Sequence, residues 1–534
     1  MIEMLQRLGV LLACLTAPLA LAQTNGFSFT RADESAIDFR NSRSTPGVAC
    51  TELIGHQSLD FRIISAVAFE GGNTIADSCT VKGIIAPAVE FVVNLPTLWG
   101  GRLYVHGNGG YGGESVHGSF GVALRSVAVR HGFATAFTNL GHDADKFQGA
   151  SWALDNRKAE IDYSYRALHR TTVAAKEVIA AYYGRPPTYS YFEGCSTGGG
   201  QGLKAAQRYP EDFDGIAIGA PVFDFVGLQL YGWTNQMAVA KTPLSAAKVQ
   251  LLADVVVRLF DDLDGLADGV IDDPRRIDFE PVRDLPQSTV GGAGFSEAEL
   301  AALTMIYRGP AVDGRPIYPG IPIGAESAGQ KYKSGSNDPA PSASGWATRL
   351  FPDASNFEQQ RDNVSTWLKY LAFAEDDPDF DWMSLDIRRD LPKLQYMAEI
   401  LNGTDTDLSE FQRRGGRILM YHGWADTGVN PLMTAEYYDR VTEAMGPETA
   451  SFFRTFMVPG MFHCRGGVNV DRFDAITPVI EWVEADIAPD TIIAARMEEG
   501  RITRTRPLCA YPHVARYKGS GSPDSAASFD CTAP

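Results

Sequence analysis

Gly194-Cys195-Ser196-Thr197-Gly198 places a serine between glycines two residues to either side. A hydroxyl so placed could attack a carbonyl, if an imidazole takes its proton and a carboxylate holds that imidazole in the right tautomer. Both partner types stand downstream, in His422-Gly423-Trp424-Ala425-Asp426 and in Pro459-Gly460-Met461-Phe462-His463-Cys464. Taken singly, Asp426 reads as a loop-capping aspartate and His463 as a surface histidine. What joins them to Ser196 is position, because each lies just past an apolar run.

Those runs are the elements that must carry the chemistry. Thr188 to Phe192 is aromatic and β-branched, which predicts a short buried strand. Leu203-Lys204-Ala205-Ala206 beyond the serine is helical in composition. Strand, sharp turn and helix together make a nucleophile elbow, whose glycines let the strand and helix approach. The helix start and the Thr197 N–H then face any negative charge developing beside Ser196. Further strands are expected at Phe61–Phe69, Val89–Leu95, Leu103–Val105, Phe133–Phe137, Gly215–Pro221, Arg417–Tyr421 and Phe452–Val458. Helices are expected at Tyr163–Tyr183, stopped by Gly184, and near Ile476–Glu484. Alternation of strand and helix from about 100 to 221 implies a parallel sheet covered on both faces. It lapses from 223 to 404 and then resumes. The fold class is therefore α/β, an α/β-hydrolase sheet with a large inserted lid. Residues 23–222 and 405–534 form the two parts of the core and 223–404 the lid. The order Ser196, Asp426, His463 is the one such hydrolases use. The loop His106-Gly107-Asn108-Gly109-Gly110-Tyr111-Gly112-Gly113 lacks the Gly-Lys-Ser/Thr ending of a phosphate loop. Beside a serine elbow, it suits an oxyanion hole instead.

At 534 residues, 45% hydrophobic and 21% charged, the chain is an ordinary globular composition with room for an insertion. A net charge of −18 without basic runs argues against nucleic-acid binding. Residues 1–22 read as a signal peptide, with Arg7, an apolar stretch and Ala20-Leu21-Ala22, so a secreted or periplasmic location is expected. No later stretch is long enough to span a bilayer. Removal of the signal takes Cys14 and leaves six cysteines, for which fifteen pairings are possible. Nearness in sequence favours Cys50–Cys79 and Cys509–Cys531, which leaves Cys195 for Cys464. If Ser196 and His463 meet, the last two are neighbours by covalent necessity.

Asp261-Asp262-Leu263-Asp264-Gly265-Leu266-Ala267-Asp268-Gly269-Val270-Ile271-Asp272 packs five aspartates into a glycine-punctuated loop. Hard cations want several oxygens at once, and such a loop can turn carboxylates and carbonyls inward. It lacks the spacing of an EF-hand. A solvated acidic turn is the alternative.

With these features assembled, the chain resembles the tannase and feruloyl esterase family. The likeness is carried by Cys195-Ser196, Asp426 and His463-Cys464, with the Gly107-Asn108-Gly109-Gly110 loop, the Pro459-Gly460-Met461 approach and the inserted lid. It implies a serine esterase for esters of aromatic acids, with oxyanion donors at Thr197 and Gly110. It also implies a structural Ca²⁺ in the lid, held by the side chains of Asp261, Asp264 and Asp268 and the carbonyls of Leu266 and Val270. Relatives commonly have a cysteine where Phe260 stands, and that one and its partner are missing here. The expected reaction is hydrolysis of feruloyl, hydroxycinnamoyl or galloyl esters through an acyl-enzyme. Terephthalate monoesters or acyl transfer by the same triad are the alternatives, and a non-catalytic binding module is a third. Trp346, Trp367 and Trp382 are expected to wall the acyl pocket, with Val429 a candidate beside Asp426. No partner other than a small aromatic ester is implied.

Overall fold

The computed structural model describes residues 27–39, 43–71, 76–288, 294–326, 346, 350 and 357–534. The expected signal peptide lies outside them.

Three antiparallel strands come first, β1 (Arg62–Phe69), β2 (Ser78–Ile85) and β3 (Val89–Pro96). β4 (Arg102–His106), β5 (Ala134–Thr138), β6 (Tyr189–Cys195) and β7 (Gly215–Gly219) follow. A two-residue ribbon, β8 (Ala311–Val312) and β9 (Arg315–Pro316), stands apart from the main sheet. β10 (Arg417–Gly423) and β11 (Phe453–Val458) return to it. The nine-stranded sheet runs β1-β2-β3-β5-β4-β6-β7-β10-β11. Pairing is parallel from β5 through β11. Every residue of β4, β5 and β7 is buried, the mark of a parallel sheet covered on both faces. The larger apolar cluster includes Phe192, Ile216 and Ile418, and the one on the opposite face includes Tyr191, Ala217 and Leu419.

β2 was not expected. Its burial alternates strictly, but Lys82 and Gly83 break up the apolar run that would have announced it. Two further antiparallel ribbons near the C-terminus, β12 (Thr491–Glu498) with β13 (Arg501–Cys509) and β14 (Val514–Tyr517) with β15 (Phe529–Thr532), are additions as well. The expected helix Tyr163–Tyr183 is a π-turn over Asp162–Arg166 continuing as an α-helix over Ala167–Tyr183, and Gly184 ends it at φ 76°.

Between β7 and β10 the described residues are mainly helical, with long helices at Phe225–Lys241, Ala246–Phe260, Glu297–Arg308, Phe357–Tyr370 and Ile387–Leu401. This inserted segment touches the core through named bonds. Tyr111 Oη donates to the Asn363 carbonyl at 2.9 Å, and the Ala150 N–H donates to Thr366 Oγ1 at 3.1 Å. Trp346 and Trp367 are wholly enclosed in the main core, whereas Trp382 is partly exposed. Stacking on a substrate is thus not the present role of the first two.

Glu193 on β6 is buried away from the turn that follows it. Its carboxylate accepts from Tyr104 Oη at 2.7 Å and from Ser28 Oγ at 2.9 Å, tying the N-terminal segment to the sheet. Burial is the main cause that pushes this carboxyl up to about 7, against an ordinary 4.5. A raised carboxyl favours the folded state when protonated, so its contribution is complete below pH 4.5 and is lost as pH rises through 7. Glu193→Gln is therefore expected to narrow the difference in thermal midpoint between pH 5 and pH 7, measured by calorimetry.

Candidate active site

Ser196 sits at the apex between β6 and the helix Thr197–Arg208, at φ 64° and ψ −125°. That conformation is costly for a residue with a Cβ and persists only where the surroundings fix it. Here they do: the Ser196 N–H donates to the Gly219 carbonyl at 3.0 Å, and the Ser196 carbonyl accepts from Val222 at 2.9 Å. The helix is glycine-rich because it lies directly on backbone. A Cβ on Gly200 would stand 1.9 Å from the Val222 carbonyl oxygen, and one on Gly194 would stand 2.7 Å from Gly198. Intrinsic helix propensity gives way here to closeness of approach.

His463 follows β11 and Asp426 follows β10, neighbouring parallel strands. His463 Nδ1 lies 2.7 Å from Asp426 Oδ2. The other oxygen, Oδ1, accepts from the N–H groups of Gly428 at 2.7 Å and Val429 at 3.1 Å. Asp426 is fully buried, and His463 keeps a small exposed edge. Burial alone would push the Asp426 carboxyl up. The positive charge of His463 and the hydrogen bonds from His422 and His463 overcome it and hold the group well below the usual carboxylate range. It is a carboxylate suited to stabilising an imidazolium.

The Cys195–Cys464 disulfide joins the serine turn to the histidine loop, with Cα atoms 6.0 Å apart and an S–S bond of 2.03 Å. Since Ser196 and His463 adjoin its two ends, the bridge makes them neighbours across 269 residues of chain. Cys464 itself has φ 63°, so both ends of the crosslink border constrained backbone. The other two bridges are Cys50–Cys79 and Cys509–Cys531. The chain-entropy estimate for closing so large a loop is ~5 kcal/mol. The double change Cys195→Ala, Cys464→Ala is expected to cut kcat by about 10- to 100-fold, since an ångström of drift between catalytic groups can cost about 100-fold. It should lower soluble yield far less. Unaltered turnover in the purified double variant would make the bridge purely structural.

The glycine-rich loop after β4 is tied to the same corner. Thr197 Oγ1 donates to the Gly110 carbonyl at 2.7 Å and Tyr163 Oη donates to it at 3.1 Å. Glu114, further along the loop, accepts from the Gly109 N–H at 2.8 Å and from Asn108 Nδ2 at 2.8 Å. The Thr197 and Tyr163 donors hold the Gly110–Tyr111 peptide, Gly110 has φ 52°, and apart from its chain neighbours no atom lies within 4 Å of where its Cβ would be. The part played by Tyr163 was not legible, because it lies 53 residues from Gly110.

The acidic loop is more self-contained than expected. Asp261 Oδ1 accepts from the N–H groups of Gly269 at 2.8 Å and Val270 at 3.1 Å, and Asp264 Oδ1 accepts from Leu266 at 2.9 Å. Asp268 Oδ2 pairs with Arg506 at 2.8 Å and Arg504 at 3.5 Å. Among the described residues, no group of three or more His, Cys, Asp or Glu is gathered as a metal site. Desolvation, followed by Asp264 and Asp268, pushes the Asp272 carboxyl well above its ordinary range, so three acidic groups crowd one another here.

Comparison with known proteins agrees with this geometry. The model for the family described as tannase and feruloyl esterase matches residues 73–532. The mono(2-hydroxyethyl) terephthalate hydrolase of Piscinibacter sakaiensis is 33% identical over 530 residues, covering 88% of this chain and 87% of that one. A probable feruloyl esterase of Arthroderma benhamiae is 30% identical over 91% of each. Among solved structures, feruloyl esterase B from Aspergillus oryzae superposes with a TM-score of 0.76 at 24% identity, over 91% of this chain and 100% of that one. Tannin acyl hydrolase from Aspergillus niger gives 0.63 at 19%, over 97% and 96%. The sheet, the serine turn and a family match spanning most of its length make this chain a carboxylic ester hydrolase belonging to the tannase and feruloyl esterase family.

Proposed function

We propose that the protein hydrolyses esters of aromatic acids, feruloyl and related hydroxycinnamoyl or galloyl esters first among them, through an acyl-enzyme on Ser196. The observation that carries this reading is the bridge that sets the serine turn against the histidine loop, with His463 already bonded to a buried carboxylate. His463 Nε2 takes the Ser196 proton as Oγ attacks the ester carbonyl. The N–H groups of Thr197 and Gly110 receive the oxyanion, and His463 then returns the proton to the departing alcohol. Water repeats the cycle on the acyl-enzyme with His463 again as base. Asp426 keeps the imidazole oriented and stabilises its charge. The described part of the inserted segment acts as a lid over the acyl pocket, with Trp382 and Val429 near the bound ring.

Aromatic acyl groups are favoured because the relatives above are named for feruloyl and terephthalate esters. Terephthalate monoesters are the second reading, favoured by the 33% identity with the hydrolase of that name. A panel of methyl ferulate, methyl caffeate, methyl gallate, mono(2-hydroxyethyl) terephthalate and methyl butyrate separates them by kcat/KM. Preference for methyl butyrate over every aromatic ester would overturn the aromatic reading. Product analysis with added ethanol, where transfer would yield the ethyl ester, distinguishes hydrolysis from acyl transfer. Export agrees with the three disulfides, which persist in oxidising compartments.

The acidic loop is proposed to hold a structural Ca²⁺ through Asp261, Asp264 and Asp268 and the Leu266 and Val270 carbonyls. The support is the donor chemistry: Asp264, Asp268 and Asp272 crowd one another, with Arg506 and Arg504 against Asp268 as partial offset. A bound cation would relieve that crowding and brace the loop. Chelation is expected to lower the thermal midpoint by several degrees, with recovery on adding Ca²⁺. An unchanged midpoint would leave an arginine-braced acidic turn.

A further inference from the structure

Asp426 Oδ2 receives two imidazoles. His463 Nδ1 is 2.7 Å away and His422 Nε2 is 3.0 Å away. His422 is the last residue but one of β10 and is wholly buried. Its Nε2 also lies 3.1 Å from the Val429 carbonyl, and its Nδ1 lies 2.7 Å from Thr434 Oγ1, on the helix Pro431–Met445.

These contacts fix the protonation of the ring by elimination. Nε2 faces two oxygens that can only accept, a carboxylate and a carbonyl, so it must carry hydrogen. Nδ1 faces a hydroxyl, which can donate. Desolvation lowers the His422 pKa despite the nearby carboxylate, so the ring is the neutral Nε2–H tautomer and Thr434 is the donor to Nδ1. The Asp426 carboxylate is then held by four donors: two backbone N–H groups on Oδ1 and two imidazoles on Oδ2.

We infer that His422 is a positioning residue for the esterase reaction, donating its Nε2–H to Asp426 so that the carboxylate meets His463 in one orientation and with moderated basicity. This rests on the reading of Ser196, Asp426 and His463 as the triad. Backbone donors grip only Oδ1, which leaves the carboxylate a hinge about that oxygen. His422 closes the hinge as a second donor on Oδ2, and Thr434 stops the imidazole from turning over. The inference makes His422 the anchor of Asp426 and gives the ring no contact with substrate.

His422→Leu removes the donor, His422→Gln returns an N–H near the Nε2 position, and Thr434→Val removes the hydroxyl that locks the ring. For His422→Leu, kcat is expected to fall about 30-fold with KM within about 2-fold. The acid limb of the kcat/KM profile should move to higher pH, because a carboxylate with one donor fewer holds the His463 imidazolium more strongly. His422→Gln should recover most of kcat and restore the limb, and Thr434→Val should lose about 3-fold. A role confined to packing would loosen Asp426 instead, leaving the limb in place or moving it to lower pH. That result, or kcat within 3-fold of the parent in His422→Leu, overturns the inference. Should His422→Leu not fold, the His422→Gln and Thr434→Val profiles decide, and parental kcat and limb in Thr434→Val with a dead His422→Gln would overturn it. Ser196→Ala run alongside separates the two readings: activity surviving there removes the triad itself, whereas its loss with an indifferent His422 removes only the positioning role.

Discussion

Replacing Ser196 by alanine is expected to lower kcat on the best ester substrate by on the order of 10⁶-fold, the loss typical of removing a serine nucleophile. What remains would be water attacking a substrate polarised by the Thr197 and Gly110 N–H groups. The fold should tolerate the change. The Ser196 side chain makes no capping bond to its helix, and the backbone at φ 64° is held by bonds from the Ser196 N–H and carbonyl, which alanine retains. Circular dichroism and the thermal midpoint should match the parent, so that the lost rate is chemical. A variant with a tenth of parental activity would mean that another group attacks the ester.

Asp426→Asn should cost about 10⁴-fold in kcat, and for a different reason. The Gly428 and Val429 N–H groups will keep the amide oxygen at the Oδ1 position, which turns the NH₂ toward the two imidazoles. An amide donor at 2.7 Å compels His463 Nδ1 to accept. The proton then resides on Nε2, the nitrogen that must receive the serine proton. The same NH₂ opposes His422 Nε2–H at 3.0 Å, so this variant should also lose stability where Ser196→Ala does not. Because the carboxylate is held below its usual range in the fold, its stabilising contribution is present above the ordinary Asp pKa and fades as pH falls. Parent and Asp426→Asn midpoints should therefore converge toward low pH. Steady-state kinetics at pH 7, beside calorimetry at pH 7 and at about pH 2.5, below the ordinary Asp value of 3.8, checks both parts.

Much of this corner could be read from the chain because its signals are local. A largely apolar run announces these parallel strands, and a small residue at its end announces the turn, as at Cys195-Ser196 and at Gly423. The cysteines flanking Ser196 and His463 could be matched because covalent adjacency ties them to residues already suspected. What stayed hidden depends on distant partners. Tyr163 acquires meaning only when Gly110 lies beside it, and His422, though only four residues before Asp426, needs Thr434 and Val429 to define its proton. The helix Ser119–Arg130 was missed because it opens on Ser119-Phe120-Gly121 straight after a glycine-rich loop, with no capping residue to mark its start. The acidic loop was legible as acidic, but Arg506, which pairs with Asp268, lies 238 residues away and gave no sign in the sequence.

The proposed reaction turns on a transient ester at the Ser196 oxygen. Intact-protein mass spectrometry after millisecond mixing with a chromogenic feruloyl ester, quenched in acid and followed by peptide mapping, examines it directly. The expected result is one added acyl mass per chain on the peptide bearing Ser196, lost on standing in water and absent from Ser196→Ala. An acyl group on any other residue, or hydrolysis at full rate with the Ser196 peptide never modified, would contradict it.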